Sequence, residues 1–227
     1  GEICSTTAIN TAEYCGVFSE LRKECGALIH FTIGSGLSSC YQNAVLAANE
    51  VPGVTVVDSM NLTTGIGYLA VAAAKMAAAG MELEEITAKL EELKAHMDVS
   101  FVIDKLDYLK KGGRCSAVTA FGANLLNIKP SICMKNGTLA VEKKYRGAFR
   151  QCVRRYIEER LDAVKDRCVP DIIFLTHAAC SEAVLEEAAD LIRSRGIFSE
   201  ILVTEAGCTV SSHCGPNTLG IIFAVKS

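Results

Sequence analysis

The sequence predicts an α/β protein of two domains: a parallel, doubly wound α/β domain over residues 1–101, then an α+β domain with a mixed sheet over residues 102–227. Three observations predict it. Short apolar runs alternate with helical stretches as far as Ile103, the rhythm of strand-helix-strand units. Beyond Asp104 that rhythm breaks, and Lys135-Asn136-Gly137 stands between two strand-like runs, where Asn-Gly is the strongest short hairpin signal. Half of the 227 residues are hydrophobic (50%), enough for one large core or two small ones.

The first strand-like run is Ala27-Leu28-Ile29-His30-Phe31-Thr32-Ile33, followed by a Gly/Ser turn and a helix over residues 37–50. Val54-Thr55-Val56-Val57 reads as a second strand, ended by Asp58-Ser59, and a helix with little polar surface continues to Gly80. Leu83, Ile86, Leu90, Leu93 and Met97 recur at spacings of 3, 4, 3 and 4, one face of an amphipathic helix. Phe101-Val102-Ile103 is expected as a third strand of the parallel sheet. Next come a short helix over residues 105–110, hairpin strands over 128–134 and 138–142, and a long helix over 147–165. A strand over 172–175, a helix over 181–194, and strands over 201–203 and 219–225 complete the chain.

Composition excludes several classes. Net charge is -3 and the pI about 5.9, so no basic field advertises nucleic acid. The longest apolar stretch, residues 68–80, is interrupted by Lys75 and too short to span a bilayer. No basic-then-apolar signal pattern opens the chain. The eleven cysteines are odd in number and irregularly spaced, which reads as buried free thiols in a reducing cytosol, not a disulfide framework. A soluble, cytoplasmic protein is expected.

Three loop segments place small hydroxyls, glycines and one histidine at strand ends: Thr6-Thr7, Gly34-Ser35-Gly36-Leu37-Ser38-Ser39, and Ser211-Ser212-His213-Cys214-Gly215-Pro216. Ligands of doubly wound sheets lie beyond the carboxyl ends of the strands. The second segment follows a strand and opens a helix, so its N–H groups and hydroxyls form an anion cradle suited to a carboxylate. The alternative is that Ser38 or Ser39 merely caps that helix. Gly65-Ile66-Gly67-Tyr68-Leu69-Ala70 matches a dinucleotide fingerprint but starts too far past its strand, and close packing explains it better. Cys208, His213 and Cys214 lack a familiar zinc spacing and a second ligand pair. Ser38, Asp58 and His213 occur in hydrolase order, yet no G-x-S-x-G elbow exposes the serine. His30 and His177 sit at strand ends, where histidines are usually structural.

Together these loops resemble those of the DegV family. Phe31-Thr32-Ile33-Gly34-Ser35-Gly36-Leu37-Ser38-Ser39-Cys40-Tyr41 is similar to its S-S-x-L-S-G-T-Y segment, and residues 54–59 with Gly65-Ile66-Gly67-Tyr68 to its T-V-x-D-S…G-x-G-Y. Leu106-Asp107-Tyr108-Leu109-Lys110-Lys111-Gly112-Gly113-Arg114-Cys115-Ser116 resembles L-x-x-L-x-K-G-G-R-I-S, and Asn127-Ile128-Lys129-Pro130 and His213-Cys214-Gly215-Pro216 complete an ordered set.

The resemblance implies a non-enzymatic carrier that buries one long-chain fatty acid between two domains and needs no cofactor. It implies a separate ATP-dependent, dihydroxyacetone-kinase-like fatty acid kinase as partner, and transient membrane contact. Thr6, Ser38 and His213 fall on the carboxylate-binding positions, with Ser35, Gly36 and Ser39 as the supporting loop. Arg114 and Arg146 fall on basic positions that face the kinase and the acyl phosphate. The alternative is an acyl hydrolase using Ser38, Asp58 and His213. Gly34, Ser39 and Cys40 replace the family's Ser, Gly and Thr in the hydroxyl loop. The family's opening strand and D-S-x-x-D-L loop are not in this sequence.

Overall fold

A computed structural model describes residues 4–113 and 128–226. It divides into two compact units. One comprises Thr6–Ala95 with Asn136–Thr138; the other comprises Gly1–Ser5, His96–Lys135 and Leu139–Ser227.

In the unit around Thr6–Ala95 the chain runs α1 (Thr11–Leu21), β1 (Leu28–Thr32), α2 (Cys40–Glu50), β2 (Val54–Asp58), α3 (Thr64–Ala78) and α4 (Leu83–Ala95). Strands β1 and β2 pair in parallel, with His30 opposite Val56 and Thr32 opposite Asp58. Strand alternation sends Leu28, Val54 and Val56 to the face that packs against Tyr14 and Phe18 of α1 and Ala44 and Ala47 of α2. The helix α1 was not expected. It is started by a capping box: Asn10 Oδ1 accepts the Glu13 N–H at 2.9 Å, and Glu13 Oε2 accepts the Asn10 N–H at 3.1 Å. The amphipathic stripe holds over α4, whose Ile86 and Leu90 are buried.

The second unit contains β3 (Met97–Ile103), α5 (Asp107–Lys111), β4 (Ile128–Lys135), β5 (Thr138–Arg146), α6 (Phe149–Val164), β6 (Ile172–Ala178), α7 (Glu182–Ser194), β7 (Glu200–Glu205), α8 (Cys208–Cys214) and β8 (Thr218–Ala224). Its sheet is mixed, in the order β5-β4-β3-β8-β6-β7. Strand β8 lies antiparallel to both β3 and β6, while β6 and β7 are parallel. The hairpin turns at Asn136 and Gly137, both at positive φ (51° and 73°), as a two-residue loop of this handedness demands.

Two expectations are corrected. Strand β3 belongs to this mixed sheet and not to the parallel one, and Met97 begins it instead of ending α4. The compact units therefore divide between Ala95 and His96, not between residues 101 and 102. The reason is pairing: Val99, Phe101 and Ile103 bury themselves against β8, which is more than a hundred residues further along the chain.

Helix α6 supplies the core's principal stripe, Cys152, Val153, Tyr156, Ile157, Leu161 and Val164, packed with Ile173, Leu175, Leu219, Ile221 and Phe223. Buried polar groups there are paired. Tyr156 Oη is 2.8 Å from Ser100 Oγ and accepts the Ile221 N–H at 3.2 Å. Arg160 grips Asp98 with two bonds, at 2.9 and 2.8 Å, and reaches Glu142 as well. The ten described cysteines are free, but only Cys152, Cys168 and Cys214 are buried, and Cys4, Cys25 and Cys208 are exposed. Among the described residues no helix is long and apolar enough to cross a membrane.

Candidate functional site

The carboxyl ends of β1 and β2 carry most of the residues singled out from the sequence. Asp58, the last residue of β2, accepts with Oδ1 the N–H of Ser35 at 3.1 Å and of Met60 at 2.9 Å. One carboxylate oxygen thus latches two loops together. Gly34 donates its N–H to Asn61 O at 2.8 Å, and a Cβ on it would lie 3.1 Å from the Met60 carbonyl carbon. That close approach leaves little room for a Cβ at this position. A Cβ on Gly36 would lie 2.6 Å from Gly137 O, so Gly36 too is held to glycine by backbone. The Asp58 loop carries non-glycine residues at positive φ, Met60 (52°) and Thr63 (47°), a strain that concentrates at functional loops.

Ser38 precedes α2, donates its hydroxyl to Cys40 Sγ at 3.2 Å and accepts the Cys40 N–H at 3.3 Å. Ser39 stands at the N-cap position but makes no side-chain cap bond. The local role open to either serine therefore falls to Ser38 alone. Burial would raise the Cys40 thiol, but hydrogen bonding, from Ser38 above all, holds it below its ordinary value. The carbonyl of Ile9 accepts from Asn43 Nδ2 at 2.7 Å. The segment that bears Thr6 is thereby pinned to the start of α2, which brings the Thr6 and Ser38 segments to one end of this unit.

Two buried groups nearby were not singled out as site residues from the sequence. Thr32 Oγ1 and His30 Nε2 are buried without a hydrogen-bond partner, and both side chains leave β1 on the face of α1 and α2. The His30 ring sits edge-on to Tyr14 and Phe18, with centroids at 5.2 and 5.1 Å. Burial lowers the pKa of His30 below its ordinary value.

His213 belongs to the second unit and lies on α8, where a loop had been expected. It abuts Gly112 at the end of α5, where a Cβ would collide with His213 Nδ1; one on Gly215 would collide with the ring of Tyr108. The Lys-Gly-Gly and His-Cys-Gly-Pro segments, a hundred residues apart, thus meet within one unit. Lys129 pairs with Asp104 at 2.6 Å. Arg146 ends β5, exposed. Arg114, Cys115 and Asn127 lie outside the described residues.

The rival constellations gain little. Asp58 Oδ1 is engaged by backbone amides and the Ser38 hydroxyl donates to sulfur, so neither bond joins a nucleophile to a base. Gly65 and Gly67 lie within α3, not at its phosphate-binding start, although a Cβ on Gly67 would meet nothing, so close packing does not account for that glycine. No cluster of three metal-ligating side chains exists among the described residues.

Residues 1–226 match the family described as "Uncharacterised protein, DegV family", and the chain belongs to it. A DegV domain-containing protein of Caldanaerobacter subterraneus is 36% identical over 65% of this chain and 53% of its own length. One from Streptomyces coelicolor is 31% identical over 89% of this chain and 72% of its own. The matches span 53% to 58% of the lengths of the first three curated relatives. Among solved structures, a DegV family protein from Thermus thermophilus described for fatty acid binding superposes with a TM-score of 0.88 at 29% identity, covering 97% of this chain and 79% of that one. A Thermotoga maritima protein described as revealing a fatty acid binding function gives 0.85 at 26% identity, covering 99% and 79%.

Proposed function

We propose that this chain binds a single long-chain fatty acid and presents its carboxylate to a separate ATP-dependent fatty acid kinase, without being an enzyme by itself. The carboxylate is taken by Thr6 and Ser38, with His213 as a third donor and Ser35, Gly36 and Ser39 as the supporting loop. The observation that carries the reading is the joining of the Thr6-bearing segment to the start of α2, just past the Ser38 loop, through the bond from Asn43 Nδ2 to the Ile9 carbonyl. A buried carboxylate needs several hydrogen bonds, and hydroxyls with an imidazole N–H supply them without a fixed charge. The acyl chain contributes affinity, roughly 0.8 kcal/mol per buried CH₂. Relatives at 26% and 29% identity described as binding fatty acid support the same ligand class. Arg114 and Arg146 carry planar guanidinium forks, a donor geometry that suits a phosphate that forms transiently. The setting is cytoplasmic, and contact with a membrane is transient.

Mass spectrometry of an organic extract of the purified protein tests the ligand. One fatty acid per chain is expected; an extract without lipid, from protein that also fails to bind added palmitate, would sink the reading. Arg114→Ala and Arg146→Ala are expected to keep the lipid while acyl phosphate formation with a cognate kinase falls.

A further inference from the structure

Two loops of the candidate site hang on one carboxylate, and a lysine grips the backbone of the residue that bears it. Asp58 ends β2, and its Oδ1 accepts the N–H groups of Ser35 and Met60, at 3.1 and 2.9 Å. A second bond ties the same two loops, from the Gly34 N–H to Asn61 O at 2.8 Å. The turn after Asp58 is also closed on itself. Ser59 and Asn61 are buried, the Asn61 N–H donates to Ser59 Oγ at 3.1 Å, and Asn61 Nδ2 donates to Ser59 O at 2.9 Å. A satisfied network of this kind is rigid, so the hydroxyl loop follows the position of Asp58.

Lys94 stands in the last turn of α4. Its ammonium donates to the Asp58 main-chain carbonyl at 3.2 Å and pairs with Glu91 at 2.6 Å. The Lys94 side chain is 12% exposed, whereas that of Lys89, paired with Glu85 on the same helix, is 48% exposed. An ion pair along a helix surface needs no burial and stabilises by about 1 kcal/mol at most. Withdrawing an ammonium from water costs free energy that its hydrogen bonds must offset. What the burial of Lys94 achieves beyond the Glu91 pair is its grip on Asp58, the residue whose carboxylate carries both loops.

We propose that Lys94 is a positioning residue of the candidate site, acting through Asp58 to fix the Gly34–Ser38 loop for its ligand. The ammonium touches no ligand itself. Releasing its grip loosens the loop and weakens fatty acid retention, a consequence that rests on the function proposed above.

Amide hydrogen exchange of the full chain, resolved by NMR, reads the loop directly, and palmitate titration reads its use. In Lys94→Met, exchange at Ser35 and Met60 is expected to rise about two- to tenfold and palmitate to bind more weakly by a similar factor, the size of one net hydrogen bond. Lys94→Arg keeps a cationic donor and should restore both. Asp58→Ala should show the full effect, and adding Lys94→Met to it should change neither reading further, because the lysine then has nothing to act through. A lysine that only stabilised α4 would lower the urea midpoint without singling out Ser35, and its loss would add to that of Asp58→Ala. Unchanged exchange at Ser35 and Met60 in Lys94→Met overturns the proposal, as does raised exchange with unchanged palmitate affinity. Lys94→Met and Lys94→Arg decide the matter by themselves where Asp58→Ala does not fold. A wild-type protein that never takes up palmitate, with exchange that still responds to Lys94→Met, leaves the grip on the loop standing and removes the carrier reading. Palmitate binding in wild type with unresponsive exchange does the reverse.

Discussion

In the mixed sheet, β8 is buried along its whole length and β3 at every residue after Met97, whereas in β1 and β2 only Thr32 and Val57 are buried. The polar groups central to the mixed sheet are also paired: Tyr156 with Ser100, Arg160 with Asp98. Toward the carboxyl end of β1, Thr32 Oγ1 and His30 Nε2 are buried without partners, as is His177 Nδ1 toward the end of β6. The difference is one of burial. One unit concentrates apolar burial and satisfied polar pairs, which is where stability comes from. In the other the strands are largely half-buried, and positive-φ residues stand at strand ends in both units, Met60 and Thr63 in this one and Ala179 and Asn217 in that of the mixed sheet.

The largest effect should come from breaking the buried pair. Arg160→Met would leave Asp98 (8% exposed) without its cation, and stability in urea is expected to fall by about 3–5 kcal/mol. Adding Asp98→Asn should recover part of that loss; no recovery would mean the pair does not act as a pair. Next, Leu161→Ala removes a fully buried side chain (0% exposed) from α6 and should cost about 2–5 kcal/mol. Leu46→Ala on α2 removes one that is 55% exposed and should change stability by no more than about 0.5 kcal/mol. Equal losses in the two would erase the contrast. Ser38→Ala reverses the emphasis: little change in the urea midpoint, but palmitate binding weaker by about 1.5–3 kcal/mol, a hydrogen bond to a charged group. The same variant tests the rival reading, because cleavage of an activated acyl ester that Ser38→Ala abolishes would favour a hydrolase.

How much of this was legible in the sequence depended on whether the signal was local. The hairpin was, since Asn136-Gly137 can take two positive φ angles cheaply. So was α4, from its apolar spacing. The sheet to which β3 belongs was not, because a buried strand reads alike whichever partner it takes, and β8 lies far along the chain. Helix α8 was read as a loop because it is short and rich in small polar residues. Helix α1 was missed although its signal is local: Asn10 and Glu13 stand three apart, and Tyr14 and Phe18 four apart. With α1 unread, the pinning of the segment before it to α2, through Ile9 and Asn43, was hidden as well. The hydroxyl loop itself was visible by residue type, but not its spending of the Ser38 hydroxyl on Cys40.

That capping box permits a smaller test. Asn10→Ala removes the acceptor of the Glu13 N–H and should cost about 1 kcal/mol. Amide hydrogen exchange should rise first within α1. A change confined to the mixed sheet instead would show that α1 does not form as an element of its own unit.

The smallest expected effect is a pH dependence carried by His30. Its ring is half-buried against Tyr14 and Phe18, and burial lowers its pKa relative to the ordinary value near 6.5. Between the lowered folded value and about 6.5, the unfolded chain binds a proton that the folded protein does not. Stability therefore rises with pH across that window and is lost as pH falls through about 6.5, the opposite of a histidine held by a carboxylate. Only one proton of a half-buried ring is at stake, so the slope is shallow beside the losses above. Urea midpoints at about pH 7.5 and about pH 5.5 should converge in His30→Phe, which keeps the aromatic contacts and removes the titration. Carboxylates that titrate lower are common to both proteins and cancel in the difference. An unchanged slope in His30→Phe would show that the buried imidazole is not what the acid side of the stability profile reports.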